Sequence, residues 1–358
     1  MITERDIAFK LGCGRLLFEH GAIYKLADEV KRFGNRAYIV IGKSAAQQSL
    51  EHIEAILNAA DVPYYIDMYS GTCSEEKGIE IAERCNALSI DVIIGVGGGR
   101  IMDLAKIAAN IGKCKLINVP TISATCAAYT PLSVVYTADG KCRGTWYFEE
   151  EVSCVLCELD YLCKQSRRYL AAGIADSIAK HIEIAHHVSA QVKQGEDVRI
   201  ATFLAKIMYE ELLAFSQDAF TALDCGSEME ALEKCIFHVI ITTGLISGIA
   251  RGRFQAALAH ALYESIRTLY TKESRFYLHG EIVAVNLLVQ EMYLKNEDGR
   301  LRLMNYLQMA NMPKSLRELG VIVSDYDTMR IVMQKSVIDN LHSPNDTSML
   351  AGLLKKIS

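Results

Sequence analysis

A chain of 358 residues with 51% hydrophobic and 23% charged side chains is long enough for two cores, and its 5 prolines leave little material for disordered linkers. The formal net charge of -5, with no run of Lys and Arg, excludes the basic stripe that nucleic-acid backbones require. Eleven cysteines, an odd number scattered from Cys13 to Cys235, suit reduced thiols better than a disulfide framework.

The chain opens MITERDIAFK, with charges where a secretory signal would be apolar, so a cytoplasmic protein is expected. Short β-branched runs then alternate with amphipathic segments. Strands are predicted at Ala37 to Ile41, Pro63 to Asp67, Val92 to Val96 and Leu116 to Val119, with helices at Ser49 to Ala60 and Glu75 to Cys85. Leu132 to Glu150 reads as a hairpin, because LSVVYT and RGTWYF flank the turn dipeptide Asp139-Gly140. Cys154 and Cys157 form a CxxC without a second pair at zinc-ribbon spacing, and VSCVLCEL reads as a buried strand. From about Ser166 onward the period is helical, with long segments at Arg199 to Ser216 and Glu228 to Ala250.

The pattern predicts a Rossmann-like α/β domain with a parallel sheet over residues 1–160, followed by an all-helical domain over residues 161–358. No membrane span is expected. Ile236 to Ala250 is apolar but short of the roughly 20 residues needed, and Leu116 to Ala138 is broken by Pro120 and Pro131.

GVGGGRIMDLAK, Gly95 to Lys106, is the most informative local feature: three glycines follow an apolar strand and open directly into a helix. Backbone N–H groups at such a helix start attract anionic oxygens, and a pyrophosphate fits there. A tight strand-to-helix turn is the local alternative, and Asp103 equally complements the positive end of its own helix. The run matches neither GxGxxG nor the P-loop.

These glycines, followed by VPTISATCAAYTPLSVVYT, AAGIADSIAK and the histidines of AHAL and LHGEIVA, resemble in order and approximate spacing the iron-containing alcohol dehydrogenase and glycerol dehydrogenase superfamily. The resemblance covers roughly residues 30 to 310 and is nearest to the bacterial hydroxycarboxylate dehydrogenase branch. It implies that Gly97, Gly98, Gly99 and Asp103 hold a coenzyme pyrophosphate and ribose, and that Thr121, Ala124, Thr130, Leu132 and Tyr136 line the nicotinamide half. It also implies a divalent metal ion on Asp176, His260 and His279, open to water or substrate, with a homo-oligomeric assembly. One carboxylate and two imidazoles suit zinc or ferrous iron.

Three positions depart from the relatives. Lys180 stands where iron-containing members carry a further ligand His, which favours zinc over iron. His181, about 100° further round the helix, does not replace it. Cys126 stands where glycerol dehydrogenases present an Asp to the substrate diol, and Tyr263 where many relatives have a second His. With Cys126, Lys180 and His260 at the substrate, a 2-oxo acid or 2-hydroxy acid is expected before a polyol or simple alcohol, although Lys180 also reads as a plain helix partner of Asp176. Gly42 and Lys43 follow the first long strand where NAD-preferring relatives often carry an Asp, so NADP(H) is expected to serve at least as well as NAD(H). A lyase resembling dehydroquinate synthase shares this plan but uses Glu as its acidic ligand.

Overall fold

The computed structural model describes residues 11–189, 195–226, 229–250, 254–323, 329 and 347–358; the opening decapeptide lies outside them. It divides into two compact units, Met1–Gln165 and Ser166–Ser358. The break falls five residues later than the sequence pattern suggests, for a packing reason. Tyr161 is buried in the first core, and the Gln165 side chain accepts from the Ser123 N–H at 2.8 Å while donating to Ser123 Oγ at 2.7 Å.

The first unit is built on six parallel strands, β1 (Leu16–Glu19), β2 (Ala37–Gly42), β3 (Tyr64–Tyr69), β4 (Val92–Gly97), β5 (Lys115–Pro120) and β8 (Cys154–Glu158), in the order β1-β8-β5-β4-β2-β3. Helices α1 (Leu26–Phe33), α2 (Lys43–Ala59), α3 (Glu75–Ala87) and α4 (Gly99–Gly112) connect them. Strands covered on both faces need continuous apolar runs, which is why AYIVI and VIIGV stand out in the sequence. Ile39, Ile41, Val92, Ile94, Val96, Ile117 and Val119 are all fully buried. Strand β1 escaped the sequence reading because it is short and lies on an edge, with its ends exposed. Cys154 and Cys157 are buried within β8, and none of the eleven cysteines forms a disulfide.

Strands β6 (Leu132–Tyr136) and β7 (Cys142–Tyr147) form a separate antiparallel hairpin, and Gly140 takes the left-handed backbone at φ 89° in its turn. A short helix, α5 (Leu159–Leu162), closes the unit.

The second unit is helical: α6 (Arg167–Ser189), α7 (Glu196–Cys225), α8 (Met229–Phe237), α9 (Thr243–Ile249), α10 (Leu258–Leu269), α11 (Thr271–Ser274), α12 (His279–Tyr293), α13 (Glu297–Met309) and α14 (Thr347–Lys356). Helices α8 and α9 are joined by a π turn, His238–Thr242. The combined stretch Met229–Ile249 has the length and apolarity of a membrane span, yet 67% of its apolar window is buried inside the protein, which fits a core helix. Helix α6 packs against α7 and α12, and α12 packs against α10. The close approach of α6 and α12 needs Gly280: a Cβ there would lie 1.9 Å from the carbonyl oxygen of Ala172.

Candidate metal and coenzyme sites

Three helices of the second unit bring Asp176, His260 and His279 together, with one ligand atom from each lying within 4.8 Å of the others. Asp176 Oδ1 is 3.2 Å from His279 Nε2 and 3.5 Å from His260 Nε2, and the two Nε2 atoms are 3.3 Å apart. Asp176 is central in α6, His260 lies in the first turn of α10, and His279 is the first residue of α12. Arg168 fixes that last helix start by donating two bonds to Glu281, at 2.6 and 2.8 Å, while Glu281 accepts from the Leu278 N–H at 2.7 Å.

The electrostatics are those of a buried carboxylate facing imidazoles. Burial alone would raise the Asp176 acid, but the opposing pull of His279 and His260 holds it well below the usual carboxylate range. Burial and the Glu183 charge oppose each other at His260, and the carboxylate wins, raising it to about 9. Burial prevails at His279 and lowers it. Asp176 Oδ1 is itself buried without a hydrogen-bond donor. An orphaned acceptor beside two imidazole Nε2 atoms, each a ligand once its proton is displaced, is the arrangement that a divalent cation completes.

Sequence reasoning missed Glu183. It is fully buried, two turns after Asp176 on α6, and its Oε2 receives His260 Nδ1. The seven-residue spacing, which returns to the same helix face, was the available signal.

Lys180 is half-buried one turn after Asp176, and its charge bears on Asp176, Glu183, His260 and His279. The ion pairs of Asp176 are with the two histidines rather than with Lys180. His181 turns away and lies against Tyr209, with ring centroids 4.6 Å apart. Tyr263 sets its ring edge-on to His279 at 4.2 Å.

In the first unit, β2 and β4 are neighbours, while β2 pairs with β3 on its other side and β4 with β5. Open α/β sheets bind ligands at such a reversal of strand order, outside the carboxyl ends of the strands. Those ends are Gly42 and Gly97. Gly97 has φ +149°, a conformation that side-chain-bearing residues rarely adopt, and its carbonyl accepts from the Thr121 N–H at 3.0 Å. Gly98 caps α4 without a side-chain hydrogen bond, and Gly99 begins the helix. Lys43 is exposed at the start of α2.

Asp103 is turned toward the hairpin. Its carboxylate pairs with Lys106 at 2.9 Å and accepts from the Val134 N–H at 3.2 Å, while Lys106 also donates to the carbonyls of Thr130 and Leu132. The sequence offered Asp103 to a coenzyme or to the start of its own helix; its partners in the fold are Lys106 and the hairpin backbone. Thr121, Ala124 and Thr130 are buried; Leu132, Tyr136 and Cys126 are half-buried. The Cys126 carbonyl accepts from the Tyr129 and Thr130 N–H groups, so this residue shapes the turn before β6.

A sequence model of iron-containing alcohol dehydrogenases matches residues 13–161. Glycerol dehydrogenase of Thermotoga maritima is 30% identical, across 89% of this chain and 86% of that protein. Hydroxycarboxylate dehydrogenase A of Escherichia coli is also 30% identical, across 81% and 79%. Among solved structures, a probable glycerol dehydrogenase from Sinorhizobium meliloti superposes with a TM-score of 0.84 at 20% identity, covering 98% of both chains, and so shares the fold.

A parallel α/β unit joined to a helical unit, with dehydrogenase relatives along nearly the whole length, defines an oxidoreductase acting on CH–OH groups. The chain belongs to the iron-containing alcohol dehydrogenase family. Dehydrogenases of this family use NAD(H) and a divalent metal.

Proposed function

We propose that this enzyme interconverts small 2-oxo acids and 2-hydroxy acids, using a nicotinamide coenzyme at the glycine crevice and one divalent ion on Asp176, His260 and His279. The observation that carries the substrate class is Lys180. Its half-buried ammonium stands one helical turn from Asp176 and is not consumed by an ion pair with that carboxylate. A fixed cation beside the reacting centre is suited to a substrate carboxylate, and a charge-assisted hydrogen bond there contributes about 1.5–3 kcal/mol. A lysine in place of a fourth ligand also favours zinc.

When bound, the ion would polarise the substrate's carbonyl or hydroxyl oxygen, and the coenzyme would supply or accept the hydride. The chain's own contribution is to position. Asp176 brings a negative charge that an ion neutralises, and Lys180 orients the acid. Cys126 withholds a carboxylate that would repel an acid and hold a diol. At the coenzyme end, exposed Lys43 after Gly42 provides a positive charge where an acidic side chain would reject a 2′-phosphate. NADP(H) should therefore serve at least as well as NAD(H).

Glycerol or a simple alcohol is the second reading, favoured by the 30% identity to the Thermotoga glycerol dehydrogenase. One panel separates the two: aldehydes, ketones, polyols and 2-oxo acids, each with both coenzymes and with metal content measured in the same sample. Lys180→Ala should raise KM for 2-oxo acids about 10- to 100-fold while leaving polyol and aldehyde kinetics near wild type. Cys126→Asp should improve polyol turnover. Unchanged acid kinetics in Lys180→Ala would refute the substrate assignment, and a hundredfold preference for NAD(H) would refute the coenzyme assignment.

A further inference from the structure

Helix α10 begins without a cap of its own: its N-cap residue is Ala257, which has no side-chain acceptor. Unpaired N–H groups at a buried helix start are costly, so acceptors must come from elsewhere. Glu183, from α6, supplies one. Its Oε1 accepts from the N–H of His260 at 3.0 Å, the N3 bond that a native N-cap side chain would make, and from the N–H of Ala257, the N-cap residue itself, at 2.7 Å. The Ala259 N–H is taken by Gln290 Oε1 from α12 at 2.9 Å. The other oxygen of Glu183 is the partner of His260 Nδ1.

The two oxygens therefore perform different tasks. An ionised carboxylate only accepts, so the neutral imidazole that binds a metal keeps its proton on Nδ1 and its lone pair on Nε2. That nitrogen faces Asp176 and His279. Outer carboxylates of this kind fix the tautomer and orientation of a ligating histidine. We infer that Glu183 is a positioning residue: one oxygen caps α10, the other fixes the His260 tautomer, and the metal site thereby acquires its second nitrogen. This inference rests on the metal reading of Asp176, His260 and His279.

Glu183→Gln separates the tasks. The amide oxygen keeps the cap, whereas the NH2 group that replaces Oε2 donates to Nδ1 and moves the ring proton onto Nε2, where it blocks the ligand position. Metal-stripped wild type, Glu183→Gln and Glu183→Ala are titrated with zinc against a chromophoric chelator, and helix content and melting are recorded for each without metal. Wild type should bind one zinc. Glu183→Gln should keep its helix content and melt within a few degrees of wild type, yet bind zinc about 10- to 100-fold more weakly. Glu183→Ala should lose stability as well.

Zinc affinity in Glu183→Gln equal to wild type would overturn the inference, because a purely structural cap predicts that result. A wild-type protein that takes up no divalent ion would instead overturn the metal reading itself. A second measurement does not depend on any Glu183 variant folding: nitrogen-15 spectra of histidine-labelled, zinc-loaded wild type, with His260 assigned by its loss in His260→Ala. Zinc on Nε2 with the proton on Nδ1 supports the inference, and the reverse tautomer overturns it.

Discussion

Glu291 lies on α12, the helix that begins with His279, and one of its carboxylate oxygens is buried without a hydrogen-bond donor. Burial pushes its acid up to about 7, against an opposing contribution from Asn296. Since the folded-state value is raised above the usual 4.5, the stability linked to the neutral acid is complete below about pH 4.5 and is lost as pH rises through 7. The difference amounts to about 3 kcal/mol. Glu291→Gln should therefore be more stable than wild type at pH 8 and close to it at pH 4.5, read from urea midpoints at the two values. Equal midpoint differences at both pH values would show that Glu291 is not the titrating group. Nothing in the sequence marks this residue, because EMY in an apolar helix looks like an exposed last turn.

Among elements, the hairpin depends on a buried ion pair. Lys106 on α4 is nearly inaccessible, pairs with Asp103 one turn earlier, and donates to two carbonyls where the chain enters β6. Removing one member of a buried pair strands the other charge, at a cost of about 3–5 kcal/mol, whereas removing both together costs far less. Lys106→Met should destabilise strongly, and Asp103→Leu with Lys106→Met should recover much of the loss. Chemical unfolding measures both, and hydrogen exchange over residues 132–147 should show faster opening of the hairpin in the single variant. Similar stability for single and double variants would mean that the pair is not what anchors the ribbon. The hairpin itself was legible from Asp139-Gly140 between β-rich runs. Its tether was not: the DLAK spelling offers Asp103 to a ligand or to the helix end, and only the fold pairs it with Lys106 and makes Lys106 a neighbour of residues 130 and 132.

At the scale of the molecule, the candidate metal ligands come wholly from the second unit and the glycine crevice wholly from the first. Metal binding should therefore protect one unit directly. A ligand at a thousand times its Kd stabilises its folded partner by about 4 kcal/mol. Chelation should speed amide exchange in α6, α10 and α12 and leave β2, β4 and α4 near their original rates; uniform protection of both units would contradict this. The sequence carried the large outlines because buried parallel strands and long helices have distinct periods. It ended the first domain near residue 160 and began the helical period at about Ser166, while the units divide after Gln165 and Tyr161 of α5 is buried in the first core. The grouping of Asp176, His260 and His279 was foreseeable only through family motifs, because these residues lie up to 103 positions apart in the chain.

The π turn at His238–Thr242 is followed by Thr243, whose Oγ1 lies 2.8 Å from the Oγ of Ser177, the residue after Asp176. A π turn holds one residue more than the α-helix it interrupts. A residue lost from regular α-helix rotates everything downstream by about 100°, whereas the π turn holds a spare one that can be given up while α9 keeps its face. Helix α9 is thus numbered one step out of the simple α-helical phase. A single-codon deletion at 238–242 should be borne far better than one in the neighbouring turns of α8 or α9.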